Sequence, residues 1–298
     1  MKILVIGGSY FVGRVFTIKA CKDYDITLLN RGKYSMKEYG VNEVVADRHS
    51  DLSKILAEYD VVVDFCAYQK DDIKHILNSL NGRVKKYIFL STCDVYVRNN
   101  EIKDENAAYN YNTFNYPSEI KDYINGKVAL ENELDEYANK YNIKYTSVRP
   151  TIIYGPYNYA PRESLYIQDI VQNGQAVFPK NSDGEFQFAY VGDVADIILK
   201  ICELDNIDRA YNVCSNDILN YQKFASILKQ VSDTEYNEFY LDYKQINELG
   251  LYLPYPVVKE ETQIYNGQKV VNNLGINYTD HTEGMQKTYN AFKNVFRR

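Results

Sequence analysis

Met1-Lys2-Ile3-Leu4-Val5-Ile6-Gly7-Gly8-Ser9-Tyr10-Phe11-Val12-Gly13 opens the chain, and its reading decides the fold. Leu4, Val5 and Ile6 form the unbroken apolar run of a central parallel strand covered by helices on both faces. Phe11 to Cys21 then alternates at helical spacing. The glycine-rich turn therefore closes a strand and opens a helix, the setting in which such a turn marks a dinucleotide site. Glycine carries no Cβ, so backbone N–H groups can face a pyrophosphate at the positive end of the helix dipole. Gly7, Gly8 and Gly13 stand where the turn needs them, and Tyr10 stands where a middle glycine is usual. The expected cradle is Gly7, Gly8, Ser9, Tyr10, Phe11, Val12 and Gly13.

Outward from that turn, strand and helix patterns alternate through the first half of the chain. Ile26–Leu29, Glu43–Val45, Val61–Phe65, Tyr87–Leu90 and Tyr145–Val148 are expected as strands. Phe11–Cys21, Asp51–Glu58, Asp71–Leu80 and Glu119–Tyr141 are expected as helices. This order predicts right-handed βαβ crossovers, an α/β fold of the Rossmann type with a doubly wound parallel sheet. Ligands in such sheets bind at the carboxyl ends of the strands. Three of those ends carry small or polar residues, at Gly7-Gly8, Asp64–Ala67 and Ser91-Thr92. Beyond Gly155-Pro156 a helix is expected near Ser164–Gln172, a strand at Phe186–Tyr190, a helix at Asp193–Glu203 and a strand at Ala210–Val213, the strands finishing the sheet. Helices at Tyr221–Val231 and around Thr282–Val295 follow. The expected division is a dinucleotide-binding domain of residues 1–165 plus about 186–214, and a smaller C-terminal substrate-binding lobe of about 166–185 and 215–298.

The 298 residues can bury an ample core, and 45% hydrophobic with 25% charged content is ordinary for a globular protein. No apolar stretch is long enough to span a membrane, and the N-terminal apolar run belongs to the first strand, not to a signal peptide. Five cysteines without metal-ligand spacing fit reduced thiols, and a cytoplasmic location is expected. A net charge of −6 argues against general nucleic-acid binding, which needs a dense positive face. Thirty tyrosines are unusual and are assigned to compositional bias, in preference to a base-stacking platform. His49, His75 and His281 are isolated, and no metal site is expected.

A dinucleotide fold usually ends its second strand in a carboxylate that bonds the ribose 2′-hydroxyl. Here Ile26–Leu29 runs into Asn30 and Arg31. Asn30 brings no charge against a 2′-phosphate and Arg31 can pair with one, so the cofactor is NAD or NADP with a tilt to NADP. Asp47 and Arg48, after the third strand, are expected at the adenine.

Tyr123-Ile-Asn-Gly-Lys127 places a phenol and an ammonium on one helix face. A neighbouring ammonium is expected to lower the phenol pKa from about 10 and make Tyr123 an acid or base nearer neutrality. The same spacing recurs at Tyr240/Lys244, Tyr255/Lys259, Tyr265/Lys269 and Tyr289/Lys293, so position selects the first copy. It follows the strand ending in Ser91-Thr92, whose hydroxyl can share a substrate proton with Tyr123. Asp193 is expected to cap the helix that follows Tyr190-Val191, and Tyr154 to approach the nicotinamide.

Gly7-Gly-x-x-Phe-Val-Gly13, Ser91-Thr-Cys-Asp-Val-Tyr96, Tyr123-x-x-x-Lys127, Arg149-Pro with Tyr154-Gly-Pro156, and Tyr190-Val-Gly-Asp-Val-Ala195 together resemble the extended short-chain dehydrogenase/reductases, the NAD-dependent epimerase/dehydratase group. The resemblance covers nearly the whole chain. It implies Thr92 as catalytic hydroxyl, Tyr123 as acid/base, Lys127 on the nicotinamide ribose, Cys66 and Ala67 among the cofactor contacts, and hydride chemistry on a nucleotide-diphosphate sugar. It also implies a homodimer through the helices near Asp71–Leu80 and Glu119–Tyr141. Three positions depart from the pattern: Tyr10, Ile152 where an asparagine is frequent, and Cys93-Asp94. Asp94 occupies the slot of the acidic residue that 4,6-dehydratases use as a base. The leading reading is an epimerase or ketoreductase. The alternatives are a dehydratase using Asp94 and a non-catalytic dinucleotide- or RNA-binding relative; a subgroup reading Gly-Gly-Thr-Arg-Phe includes RNA binders.

Overall fold

A computed structural model describes residues 1–54 and 56–297. In chain order its elements are β1 (Lys2–Ile6), α1 (Phe11–Ala20), β2 (Asp25–Asn30), β3 (Asn42–Val45), β4 (Tyr59–Asp64), α2 (Asp72–Leu80), β5 (Val84–Leu90), α3 (Ser118–Tyr141), β6 (Lys144–Pro150), β7 (Ile152–Tyr154), α4 (Glu163–Asn173), β8 (Gln175–Pro179), β9 (Phe188–Tyr190), α5 (Val191–Glu203), β10 (Ala210–Val213), α6 (Tyr221–Val231), β11 (Asn237–Leu241), α7 (Tyr243–Glu248), α8 (Gln268–Leu274) and α9 (His281–Phe296).

Seven strands make one sheet in the order β10-β6-β5-β4-β1-β2-β3, with every neighbouring pair parallel. Val5 pairs with Leu28 on one side and with Val63 on the other. Because side chains alternate across a strand, Ile3 and Val5 join the core under α1, α5 and α8, while Leu4 and Ile6 join the core under α2 and α3. That double burial is why β1 is apolar without interruption. The chain leaves β1 toward β2 on one side and later reaches β4 on the other. The β1/β4 boundary is thus the switch point, and a crevice opens above it.

Smaller pieces pack beside this sheet. β8 pairs with β11 and β7 with β9, each in a two-stranded ribbon. Their core with α4, α6 and α9 is strongly aromatic, with Phe186 stacked on Tyr255 at 4.5 Å and Tyr166 on Phe178 at 5.3 Å. Several of the many tyrosines are therefore packing residues, fully buried at Tyr87, Tyr96, Tyr154, Tyr211, Tyr221 and Tyr289.

Three expectations are corrected. The helix at Asp51–Glu58 does not form among the described residues, which exclude Ile55; the segment closes one turn, Leu56 N–H to the Leu52 carbonyl at 2.9 Å. Leu52 and Leu56 still anchor it in the core, but the Arg83 guanidinium takes the carbonyls of Ser53 and Leu56, which a longer helix would need. The strand at Phe186–Tyr190 shortens to β9 and pairs with β7, so only Ala210–Val213 completes the large sheet, beside β6. Asp193 is the third residue of α5 and not its cap; its carboxylate accepts from the Thr279 N–H and hydroxyl at 2.8 and 2.5 Å. No helix among the described residues is long and apolar enough to cross a membrane.

Candidate active site

A cleft of about 1240 Å³ lies over the carboxyl ends of β1, β2, β4, β5 and β6 and extends to the loop around Leu251–Val257. Its floor at β1 is the glycine turn. Gly7 adopts φ +78°, a left-handed conformation that disfavours a side chain. A Cβ on Gly13 would stand 2.4 Å from the Gly7 carbonyl oxygen, so only glycine lets α1 seat this closely against the turn. The first N–H groups of α1 have no intrahelical partner by geometry and open toward an anion.

Tyr10 stands at φ −139° and ψ 141°, ordinary extended backbone that requires no glycine. Its ring is 45% exposed and stacks on Tyr34 at 5.4 Å and on Tyr159 at 4.9 Å. The loop bearing Tyr34 is fixed by Glu43, which accepts from the Ser35 hydroxyl at 2.9 Å and the Met36 N–H at 2.5 Å. Tyr159 follows Asn158, which the buried Glu163 carboxylate holds at 2.9 Å. Tyr34 carried no signal in the sequence and Tyr159 only that of the tyrosine-rich run Tyr154 to Tyr159, because the stack joins three segments far apart along the chain.

At the end of β2 the Asn30 side-chain oxygen Oδ1 accepts from the Gly32 N–H at 2.7 Å, and its side-chain NH2 faces the Glu43 carboxylate at 3.5 Å. Arg31 is exposed at the rim, and Asp47 accepts from the His49 N–H at 2.8 Å. Arg48 is tied inward, with both terminal nitrogens on the fully buried Asp64 at 3.2 and 2.7 Å. The Tyr87 hydroxyl and Cys66 N–H also donate to Asp64, at 2.6 and 3.0 Å. Burial raises the Asp64 pKa, but the Arg48 charge and these hydrogen bonds outweigh it and hold the carboxyl below its usual value. The Cys66 thiol lines the cleft and is pushed up to about 12, mainly by burial.

Thr92, Asp94, Tyr123 and Lys127 all line the same cleft. Thr92 begins the 3₁₀ turn Cys93–Val95 after β5, and its hydroxyl accepts from the Asp94 N–H at 3.2 Å and faces the Asp94 carboxylate at 3.3 Å. The other Asp94 oxygen pairs with Arg98 at 3.4 Å. Tyr123 and Lys127 lie one turn apart on α3, Tyr123 opening onto the cleft at 39% exposure and Lys127 buried beneath. The Lys127 ammonium donates to the carbonyls of Ala67 and Leu90 at 3.0 and 2.9 Å. Surrounding protein pulls its pKa down to about 8.

The phenol shift runs opposite to the expected direction. Tyr123 is held above its ordinary value, first by burial in the cleft walls and then by the Asp94 charge, while the Thr92 hydroxyl lowers it. Lys127 is spent on two backbone carbonyls. Tyr154 also departs from expectation: it does not line the cleft but is fully buried against Phe188 and Tyr190, at 4.9 and 5.5 Å between ring centres. Gly155 and Pro156 turn the chain just beyond it.

A buried pair underlies this cluster. Glu131, one turn past Lys127, accepts from Arg149 at 2.5 and 2.9 Å, from Ser91 at 2.5 Å and from Tyr109 at 2.8 Å. It ties α3, β5 and β6 together directly under Thr92.

A dinucleotide-type glycine turn facing a threonine, tyrosine and lysine across one α/β cleft defines a class of nicotinamide-dependent proteins. The chain belongs to the NAD dependent epimerase/dehydratase family, whose model matches residues 3–214. It is 25% identical over 246 residues to the chloroplast stem-loop binding protein of 41 kDa b of Arabidopsis thaliana, covering 75% of this chain and 61% of that protein's length. Among solved structures it resembles the UDP-glucuronic acid 4-epimerase of Bacillus cereus in complex with NAD, with TM-score 0.77, 18% identity and coverage of 99% of this chain and 100% of that one. The UDP-glucose 4-epimerase of Thermotoga maritima with UDP-glucose gives TM-score 0.77 at 17% identity, covering 99% of both chains.

Proposed function

We propose that this chain is an NAD(P)-dependent epimerase or ketoreductase that acts on a nucleotide-diphosphate sugar. The observation that carries the reading is the meeting of Thr92, Tyr123 and Lys127 in the cleft that the glycine turn floors. Residues 1–165 plus about 186–214 would hold the dinucleotide, and about 166–185 with 215–298 the sugar nucleotide. The Gly7 conformation and the open first turn of α1 fit a pyrophosphate. When bound, the nicotinamide supplies the hydride acceptor and donor. Tyr123 takes or returns the proton of the reacting hydroxyl, Thr92 orients that hydroxyl and lowers the phenol pKa against the burial that raises it, and Lys127, fixed on the Ala67 and Leu90 carbonyls, would face the nicotinamide ribose.

The sequence tilt toward NADP is not carried forward. The Bacillus cereus neighbour holds NAD, and the Glu43 carboxylate beside Asn30 is adverse to a 2′-phosphate. A dehydratase is the second reading, favoured by Asp94 lining the cleft beside Thr92. Stem-loop binding is stated for the chloroplast relative, of which this chain spans 61%, and the net charge of −6 argues against it here. The homodimer through α2 and α3 stays in the proposal. The exposed face of α3 carries Asp122, Asn132, Asp135, Glu136 and Asn139, so that contact would be polar and its sedimentation salt-dependent.

Thermal-shift panels of NAD and NADP crossed with UDP-, dTDP-, GDP- and CDP-sugars test the ligand class, since a ligand that binds only the folded state raises the midpoint. Tyr123→Phe should abolish turnover and keep cofactor binding. Retained turnover refutes the assignment, and tight salt-sensitive RNA binding without cofactor replaces it.

A further inference from the structure

Lys127 is wrapped by aromatic rings that none of the motifs above includes. Its ammonium lies 4.6 Å from the centre of the Tyr68 ring and 4.7 Å from that of Phe89. Tyr123 stands farther, at 5.9 Å. Two of the three N–H bonds go to the Ala67 and Leu90 carbonyls, and these two residues flank Tyr68 and Phe89 in the sequence. Phe89 is fully buried in the sheet, whereas Tyr68 is half exposed and lines the cleft.

The backbone under Tyr68 is built to keep the ring there. Asp72 at the start of α2 accepts from the N–H groups of Tyr68 and Gln69 at 2.7 and 3.0 Å. The Tyr68 carbonyl oxygen approaches α3 at Gly126, where a Cβ would stand only 2.7 Å away. A glycine immediately before Lys127 therefore admits the segment that covers Lys127.

We propose that Tyr68 is a positioning residue for the catalytic pair: its ring face keeps the Lys127 ammonium charged and seated at the floor of the cleft. The inference rests on the reading of Thr92, Tyr123 and Lys127 as the reacting set. The physical need is clear, because burial disfavours the charged lysine and no carboxylate contacts the ammonium within ion-pair distance among the described residues. Asp64 and Cys66 from β4 and its following loop, Glu131 from α3 and Arg48 from beyond β3 act on it from farther away. An aromatic face at 4.6 Å offers a local attraction that costs no second buried charge.

The test reads Lys127 directly on the full chain, without cofactor or substrate. The rate of its acylation by acetic anhydride is followed against pH by peptide mass spectrometry. Wild type should titrate near 8, the value to which burial pulls it. Tyr68→Phe should leave the titration in place. Tyr68→Leu keeps the site dry but removes the π face, and should move it down by about 0.4–1.5 pH units. Tyr68→pentafluorophenylalanine has the shape of the Phe variant with the ring quadrupole reversed, so it decides the question if the Leu variant fails to fold. Superimposed titrations for Phe and pentafluorophenylalanine overturn the proposal. The alkaline limb of any turnover should follow the same order. A shift in Lys127 without turnover in any variant would sink the enzymatic reading alone, and turnover without the shift would sink only the role of Tyr68.

Discussion

Replacing Tyr10 by glycine, the residue usual at that position, tests how the turn works. The ring makes two stacked contacts, at 5.4 Å to Tyr34 and 4.9 Å to Tyr159. Aromatic pairs contribute about 0.5–1.5 kcal/mol each beyond area burial. With 45% of Tyr10 exposed, the lower half of that range applies, about 1–2 kcal/mol for both. Glycine at an extended position adds about 0.5–1 kcal/mol of backbone entropy. The sum is about 1.5–3 kcal/mol, a fall in melting temperature of about 2–5 °C for a chain of this size. Circular-dichroism melts measure it, and Tyr10→Phe, which keeps the stack, should melt like wild type. In the same samples, titration calorimetry with NAD should show affinity changed by less than about threefold, because the ring is spent on its neighbours outside the turn. A gain of tenfold or more, about 1.4 kcal/mol, would show that the phenol occupies the seat of the phosphates and refute this reasoning.

Glu131→Gln removes the charge opposite the buried Arg149 and should cost about 3–5 kcal/mol in urea denaturation. A loss below about 1 kcal/mol would mean that the pair is dispensable to the scaffold under Thr92. For Asp64 the sign follows from its depressed folded pKa: the stability it contributes is present above the unfolded value, near 3.9, and is lost as pH falls through the folded value. Asp64→Asn should therefore be less stable than wild type at pH 7 and show a shallower decline below about pH 4. Parallel acid curves for the two proteins would rule out Asp64 as the source.

Much of this molecule was legible along the chain because its causes are local or periodic. The apolar run of β1, the glycines behind it and the helical spacing of α1 placed the dinucleotide turn. Tyr123 and Lys127 share a helix face by spacing alone. The segment at Asp51–Glu58 was misread because Leu52 and Leu56 do keep helical spacing, while the competitor for its carbonyls, Arg83, comes from beyond α2. Tyr154 was misplaced for a similar reason. Its motif fixed a turn, but only the aromatic packing of the second lobe set where the ring went.

By itself, the sequence determined the parallel sheet, the glycine turn and the tyrosine-lysine pair, since each follows from side-chain period, backbone freedom or spacing within one element. Only the tertiary structure decided the electrostatics of the site. The Tyr123 phenol is raised and not lowered, because ionisation answers to the burial and charges brought together by folding, and Lys127 is held by carbonyls from two strand ends. Tertiary packing likewise turned Tyr10 from an anomaly of the turn into the middle of a stack with Tyr34 and Tyr159, rings that meet only once the chain has folded.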